Sequence, residues 1–434
     1  MSTVAFHTLG CKVNHYESEA VWQLFKQRGY QKLNFDQIAD VYVINTCTVT
    51  NTGDKKSRQI IRRAIKKNPS AVVAVTGCYA QTSAADVLDI PGVDIVIGNQ
   101  GRDKIVDYVE EFLQSREPIN VVGDIMKAKV YEELEVPEFT DRTRASLKIQ
   151  EGCNNFCTFC IIPWARGLLR SRRPENVLQQ AEQLVAAGYK EIVLTGIHTG
   201  GYGEDLTDYN LAKLLQELDQ LIGLERIRIS SIEVSQITEE IIAVLQSSAR
   251  IVNHLHIPLQ SGSDEILKRM RRKYTTEEYR QKIAEVRQAL PDLAITTDVI
   301  VGFPGETDEQ FMEATKVIEE IAFAELHVFP YSKRTGTPAA KMEGQVTEQV
   351  KHERSQKLIQ LSNSLSLRYR TIFIDKQLSV IPERVFNEGA EESLLIGYSD
   401  NYIPIVFTGN RELIGALCKV QLLEVGADHC HGTH

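Results

Sequence analysis

Glu151-Gly152-Cys153-Asn154-Asn155-Phe156-Cys157-Thr158-Phe159-Cys160 carries three cysteines at C-x₃-C-x₂-C spacing. Three thiolates can hold three irons of a four-iron cluster and leave the fourth without a protein ligand. A closed structural zinc or an electron-transfer cluster wants four. An open iron is where a substrate or cofactor can bind. With 8 cysteines in 434 residues, two further cysteines fall at set offsets from any of the eight on the order of 0.3% of the time, so chance is a poor explanation.

Outward from this triad the chain alternates short β-branched runs with helical patterns. Strands are expected at 146–150, 191–195, 226–231, 254–258, 294–300 and 325–329, with helices at 174–187, 211–221, 239–245, 276–290 and 308–321. Six βα units predict a partial, open (βα)6 barrel. Upstream, strands at 4–8, 41–45, 72–76 and 93–97 alternate with helices at 15–28, 54–67, 80–88 and 102–113, which predicts a doubly wound parallel sheet. Downstream, a charged helix at 347–370 precedes strands at 378–381, 394–398, 403–407 and 418–424, read as a small antiparallel barrel. The expected division is an α/β chain with an N-terminal domain at 1–114, an acidic linker at 115–142, a core at 143–368 and a C-terminal barrel at 369–434.

A second cysteine constellation follows from this topology. Cys11, Cys47 and Cys78 each lie just past an expected N-terminal strand. In a parallel sheet the carboxyl ends of the strands share one edge, where ligands bind. Their neighbours, Gly10, Thr46 and Gly77, are small or polar, as a cluster needs for close backbone approach.

The ends of the core strands supply candidate cofactor-binding residues, because that rim is the functional face of a βα barrel. They are Gly196 after the second strand, Ser231 and Glu233 after the third, Gln260 and Ser261 after the fourth, and Asp298 and Gly302 at the fifth. Three basic clusters favour a phosphate-backbone partner. They are Lys55, Lys56, Arg58, Arg62, Arg63, Lys66 and Lys67; Arg166, Arg170, Arg172 and Arg173; and Lys268, Arg269, Arg271, Arg272 and Lys273. Cys418 reads as core, and Cys430, in the His-rich end His429-Cys430-His431, as part of a frayed terminus.

Composition bounds the class. The chain is 43% hydrophobic and 25% charged with a net charge of −9, an ordinary globular balance that argues against a generally basic nucleic-acid binder. No apolar run approaches the ~20 residues a bilayer span needs, and the N-terminus has neither a basic n-region nor an h-region. Cysteines grouped as metal ligands rather than pairs suit a reducing cytoplasm.

The C-x₃-C-x₂-C triad is the signature of radical S-adenosylmethionine enzymes. Taken with Gly10-Cys11-Lys12-Val13-Asn14, Asn45-Thr46-Cys47, Gly77-Cys78, His256 through Gly262 and Val301-Gly302-Phe303-Pro304-Gly305-Glu306-Thr307, the chain resembles the methylthiotransferases over nearly its whole length. Its C-terminal strands, with Gly397-Tyr398-Ser399-Asp400-Asn401-Tyr402, look like an RNA-binding TRAM barrel. His7 through Asn14 and Thr48 through Arg58 most resemble the MtaB type, which modifies threonylcarbamoyl-adenosine beside the anticodon of tRNA.

The resemblance implies two [4Fe-4S] clusters, one on Cys153, Cys157 and Cys160 and one on Cys11, Cys47 and Cys78. It also implies S-adenosylmethionine as cofactor, an anticodon stem-loop as partner, an electron donor such as flavodoxin or ferredoxin, and a sulfur donor. The implied reaction places a methylthio group on carbon 2 of the adenine. The nearest rival substrates are isopentenyl-adenosine in tRNA and a ribosomal-protein aspartate.

Overall fold

The computed structural model describes residues 2–139, 143–388 and 393–434; residues 140–142, the end of the expected linker, lie outside the described residues. Val41-Tyr42-Val43-Ile44-Asn45-Thr46 and Val72-Val73-Ala74-Val75-Thr76-Gly77 are buried at every position. Such continuous runs are strands covered on both faces. They form β3 (Val41–Thr46) and β4 (Val72–Gly77) in a six-stranded sheet with β1 (Thr3–Thr8), β2 (Gln31–Leu33), β5 (Ile95–Val96) and β6 (Ile119–Asn120), ordered β2-β1-β3-β4-β5-β6. Every pairing is parallel. Ala5, Tyr42, Ile44, Val73 and Val75 pack on Ile61 and Ala64 of the helix Asn51–Lys67. Val4, Val43 and Ala74 pack on the other face against Phe25 of the helix Lys12–Gln27 and Val109 of Ile105–Ser115. The sheet is therefore doubly wound.

Two short edge strands, β2 and β6, were not expected, and β6 falls in the segment read as linker. That segment is no loose tether. Its Leu134, Val136 and Phe139 are buried in the core of the next barrel. Its acidic residues hid an apolar stripe.

The core strands are β7 (Arg144–Lys148), β10 (Glu191–Thr195), β11 (Arg226–Ile229), β12 (His254–His256), β13 (Ala294–Val301) and β14 (Glu325–Pro330). A small hairpin of β8 (Gln150–Glu151) and β9 (Arg170–Ser171) brackets the cysteine loop. The six strands pair in parallel as β7-β10-β11 and β12-β13-β14, joined by a bridge from Ile227 to Ile251. This is the open arc expected. Ala145, Leu147, Ile192, Leu194, Ile227 and Ile229 pack on the helices outside. The alternate residues Arg144, Glu191, Arg226 and Arg228 turn inward. Glu191 is held by Arg228 at 2.7 Å and Arg226 at 3.4 Å.

After the helix Glu348–Thr371, five strands close a barrel: β15 (Gln377–Asn387), β16 (Ser393–Ser399), β17 (Pro404–Gly409), β18 (Cys418–Glu424) and β19 (Cys430–Thr433), in the order β15-β16-β17-β19-β18. Two expectations change here. The barrel is not wholly antiparallel, because β19 runs parallel to β17 while pairing antiparallel with β18. The His-rich end is not frayed: it is the closing strand, with Cys430 fully buried. Backbone pairing on both sides of β19 supplies the order that its composition does not advertise. This barrel caps the arc. Arg226 donates to the Tyr398 carbonyl at 3.2 Å, Arg228 donates to the Asp400 carbonyl at 3.3 Å, and Tyr402 stacks on His254 at 4.9 Å. Among the described residues no helix is long and apolar enough to cross a membrane.

Candidate active site

Cys11 precedes the helix Lys12–Gln27, Cys47 follows β3, and Cys78 opens the helix after β4. All three therefore sit on the carboxyl edge of one sheet. Gly10 has φ +106°, and a Cβ there would lie 3.0 Å from Cys47 Cβ. The Asn14 carboxamide fastens the Cys11 and Cys47 loops together, donating to the Leu9 carbonyl at 2.7 Å and the Thr46 carbonyl at 3.0 Å. Burial pushes the Cys78 thiol up to about 11, opposed by Arg166; Cys11 and Cys47 lie close enough to push the same way.

The core triad hangs on a tight loop. Gly152 has φ +73°, and a Cβ there would meet the Leu168 carbonyl oxygen at 1.9 Å. Cys153 N–H donates to the Gly167 carbonyl, Cys160 N–H to the Cys157 carbonyl, and Asn155 N–H points at Cys153 Sγ from 3.5 Å. Burial pushes Cys153 up to about 11 and Cys160 up to about 12. Gly152→Ala is expected to lose the core triad's iron, because a left-handed backbone and a carbonyl clash both forbid the methyl. Anaerobic reconstitution should then give about four irons in place of about eight; full loading would refute this account of the loop.

The donor sets fit iron–sulfur clusters. None of the eight cysteines is joined in a disulfide. Among the described residues neither triad brings its three sulfurs within 4.8 Å of one another. A lone tetrahedral zinc would need sulfurs about 3.8 Å apart, given Zn–S near 2.3 Å. One guanidinium serves each triad and offsets thiolate charge: Arg166 Nε donates to Cys78 Sγ at 3.1 Å, and Arg272 Nη1 to Cys157 Sγ at 3.5 Å.

Arg166 also ties the two triads into one body. It stands six residues beyond Cys160, yet it touches Cys78 of the other domain. Its remaining nitrogens bond Asn14, Glu17 and Glu151. Glu17 in turn meets Arg102 at 2.6 Å and Lys148 at 2.8 Å, and Arg102 meets Glu132 at 2.6 Å. Except for Glu132, these groups are at most 3% exposed.

The strand-end candidates occupy different places. Glu233 pairs with Arg272 and so reaches the core triad. Gly196 stands against Gln150, whose side chain would be 2.9 Å from an added Cβ. Ser231 lies half-buried on the same rim. Gln260, at φ +66°, exchanges backbone hydrogen bonds with β13, and Ser261 is buried behind it. Asp298 faces His256 at 3.2 Å, in a group with His327. Gly302 N–H is taken by Glu306, which Arg354 holds.

The middle basic cluster is not a surface. Arg166, Arg170 and Arg172 are buried, leaving only Arg173 exposed. In the third cluster Lys268, Arg271 and Lys273 are exposed while Arg272 turns in to Glu233. The helix Asn51–Lys67 keeps Lys55, Lys56, Arg62 and Lys66 exposed. Sequence reasoning missed Glu17, Arg102 and Lys148, and read Arg272 as a phosphate contact where it faces Glu233 and Cys157. Glu17 had one available signal: it shares the helical spacing of the buried Val13, Tyr16, Ala20 and Val21.

Residues 147–318 match the radical SAM superfamily, and residues 3–98 match a family described as uncharacterized protein family UPF0004. Among solved structures, the radical S-adenosylmethionine methyltransferase TsrM from Kitasatospora setae shares the fold with a TM-score of 0.58, at 16% identity, covering 78% of this chain and 77% of that one. The threonylcarbamoyladenosine tRNA methylthiotransferase MtaB of Bacillus subtilis is 65% identical over 100% of this chain and 96% of its own. The MtaB of Aquifex aeolicus is 40% identical over 96% and 99%. The tRNA-2-methylthio-N(6)-dimethylallyladenosine synthase of Carboxydothermus hydrogenoformans is 35% identical over 98% of each. With two cysteine triads on adjoining sheet edges and such identity along its whole length, this chain belongs to the radical S-adenosylmethionine methylthiotransferases.

Proposed function

We propose that the chain transfers a methylthio group to carbon 2 of threonylcarbamoyl-adenosine beside the anticodon of tRNA. The observation that carries this is the coupling of Cys78 to the core triad's loop through Arg166, in a chain 65% identical to an enzyme named for that reaction. Cys153, Cys157 and Cys160 hold the cluster that binds S-adenosylmethionine, with Gly196, Ser231, Glu233, Gln260, Ser261, Asp298 and Gly302 around the cofactor. Cys11, Cys47 and Cys78 hold the sulfur-carrying cluster. Bound together, cluster and S-adenosylmethionine supply a radical able to break an unactivated C–H bond. The chain's own part is positional. Asn14 and the glycines bring the loops close, Arg166 and Arg272 carry positive charge to the sulfurs, and the buried ion network fixes one triad against the other.

The working units are residues 1–114 for sulfur insertion, 115–142 as connection, 143–368 for the radical core and 369–434 as a TRAM-like RNA-binding barrel. The exposed cations of the helix Asn51–Lys67 supply phosphate contacts. Stacking on the target base needs a single-stranded loop, which an anticodon provides. An external electron donor such as flavodoxin or ferredoxin and a sulfur donor complete the cycle in the cytoplasm.

The test is nucleoside mass spectrometry of tRNA from cells with and without the gene. The 2-methylthio derivative of threonylcarbamoyl-adenosine should vanish with the gene. Loss of the dimethylallyl derivative instead, or an altered ribosomal-protein mass with intact tRNA, would replace this substrate.

A further inference from the structure

A cavity of about 320 Å³ is lined by Lys12, Arg144, Ser146, Glu383, Arg384 and Tyr402 among others. Its charges do not balance. Three cations face one carboxylate, and that carboxylate, Glu383, is already paired with Arg144 at 2.5 Å. The next carboxylate inward, Glu191, is saturated by Arg226 and Arg228. Among the described residues neither Lys12 nor Arg384 has an ion-pair partner. Unmatched cations gathered in a concavity mark a place for an anion.

The wall is held rather than loose. Tyr402 has φ +65°, a left-handed backbone that is costly for a residue with a side chain, and it persists where its surroundings dictate it. The Tyr402 N–H bonds the Ser399 carbonyl, and the ring lies between His254 at 4.9 Å and Tyr398 at 4.8 Å. The guanidiniums of Arg228 and Arg144 sit 4.7 Å and 5.5 Å from its centroid. Position adds the rest. Lys12 is the residue after Cys11. Arg144 and Ser146 share one face of β7 with Lys148, and Lys148 belongs to the network around Arg166 and Cys78. The cavity thus touches the edge where sulfur would be delivered.

We infer that this cavity is the subsite for an oxyanion of the RNA substrate, and that the oxyanion is the carboxylate of the threonylcarbamoyl arm, with Lys12 and Arg384 as its partners. The inference rests on the substrate reading above. A threonylcarbamoyl arm ends in a carboxylate; a dimethylallyl arm carries no charge and would leave both cations unmatched. A site built for a charged group rejects the analogue lacking it far more strongly than an apolar pocket rejects a bulkier one.

The test measures binding of anticodon stem-loops to the reconstituted full-length enzyme. Three loops are compared, carrying threonylcarbamoyl-adenosine, its neutral methyl ester, or unmodified adenosine. The unvaried enzyme should bind the carboxylate form about thirty-fold tighter than the ester, as a charge-assisted contact implies. Lys12→Met should erase most of that gap and Arg384→Gln should narrow it. Should Lys12→Met disturb iron loading at neighbouring Cys11, Arg384→Gln, at an exposed position of β15, still decides the matter.

If both variants weaken all three loops alike and lower the salt slope of log K by about 0.7, the oxyanion is a backbone phosphate, and the subsite stands with that source. Unchanged discrimination and unchanged slope in both variants overturn it. An enzyme that shows the variant-sensitive gap yet makes no 2-methylthio product brings down the reaction assigned above, not the subsite.

Discussion

Cys47→Ala should leave reductive cleavage of S-adenosylmethionine running while methylthiolated product falls below detection. Cys47 lies on the loop after β3, packed against Gly10. The link between the triads runs instead through Cys78 and Arg166. On the proposed assignment, removing the Cys47 sulfur would therefore cost the N-terminal cluster a ligand without unseating Arg166 or the core loop. Cys157→Ala should stop both reactions. On the same assignment it would take a ligand from the core cluster, and it removes the sulfur that Arg272 faces, leaving the Arg272 side chain with Glu233 and Tyr274.

Each variant should retain about four of about eight irons, one four-iron site having been lost. Iron analysis, chromatography of 5′-deoxyadenosine and nucleoside mass spectrometry read the three quantities separately. Product from Cys47→Ala would remove the N-terminal triad from the reaction. Loss of 5′-deoxyadenosine in Cys47→Ala would mean that the clusters do not work as separable units.

What the sequence disclosed and what it hid follow one physical division. Cysteine spacing and the alternation of β-branched runs with helical patterns are local, and both triads and three layers of architecture could be read from them. The buried ions could not. Arg166, Arg170 and Arg172 sit in a run that composition assigns to a solvated face, and only tertiary contact reveals them as internal posts. Arg272 is likewise concealed among Lys268, Arg271 and Lys273, which are exposed. β19 was hidden for another reason. A strand so short and polar is made by its two neighbours, β17 and β18, not by its own propensity.

That internal placement also alters what truncation and charge reversal can report. Reversing Arg172 would put a negative charge in a buried position and break its bond to Glu133. Removing the C-terminal barrel would strip the Tyr398, Ser399 and Asp400 carbonyls from Arg226 and Arg228. Loss of RNA binding in either protein would be confounded with damage to the core. Substituting the exposed Lys55, Lys56 and Arg62 avoids that.

Glu17→Gln should destabilise the enzyme by about 3–5 kcal/mol, the range for removing one partner from a buried ion cluster. Arg102, Lys148 and Arg166 are balanced by Glu17, Glu132 and Glu151, and Glu17 alone touches all three cations. Without its charge a buried positive excess remains beside Cys78. Burial alone would raise the Glu17 carboxyl, but Arg102, Arg166 and Lys148 outweigh it and hold it well below the ordinary carboxylate range; Glu151 is lowered by the same kind of balance.

The sign of the pH effect follows. A carboxyl depressed in the folded state contributes its stability fully above the unfolded-state value, and that contribution fades as pH falls toward the folded value. The parent should therefore lose stability steeply on acidification below the ordinary carboxylate range. Glu17→Gln should start lower at neutral pH and fall less steeply. Arg166→Met combined with Glu17→Leu should recover part of the loss, since removing a whole pair costs less than orphaning one member. Anaerobic thermal unfolding of the three reconstituted proteins across acidic to neutral pH measures this. A Glu17→Gln protein that melts with the parent at neutral pH, and with the same acid slope, would show that the network does not fasten the two triads together.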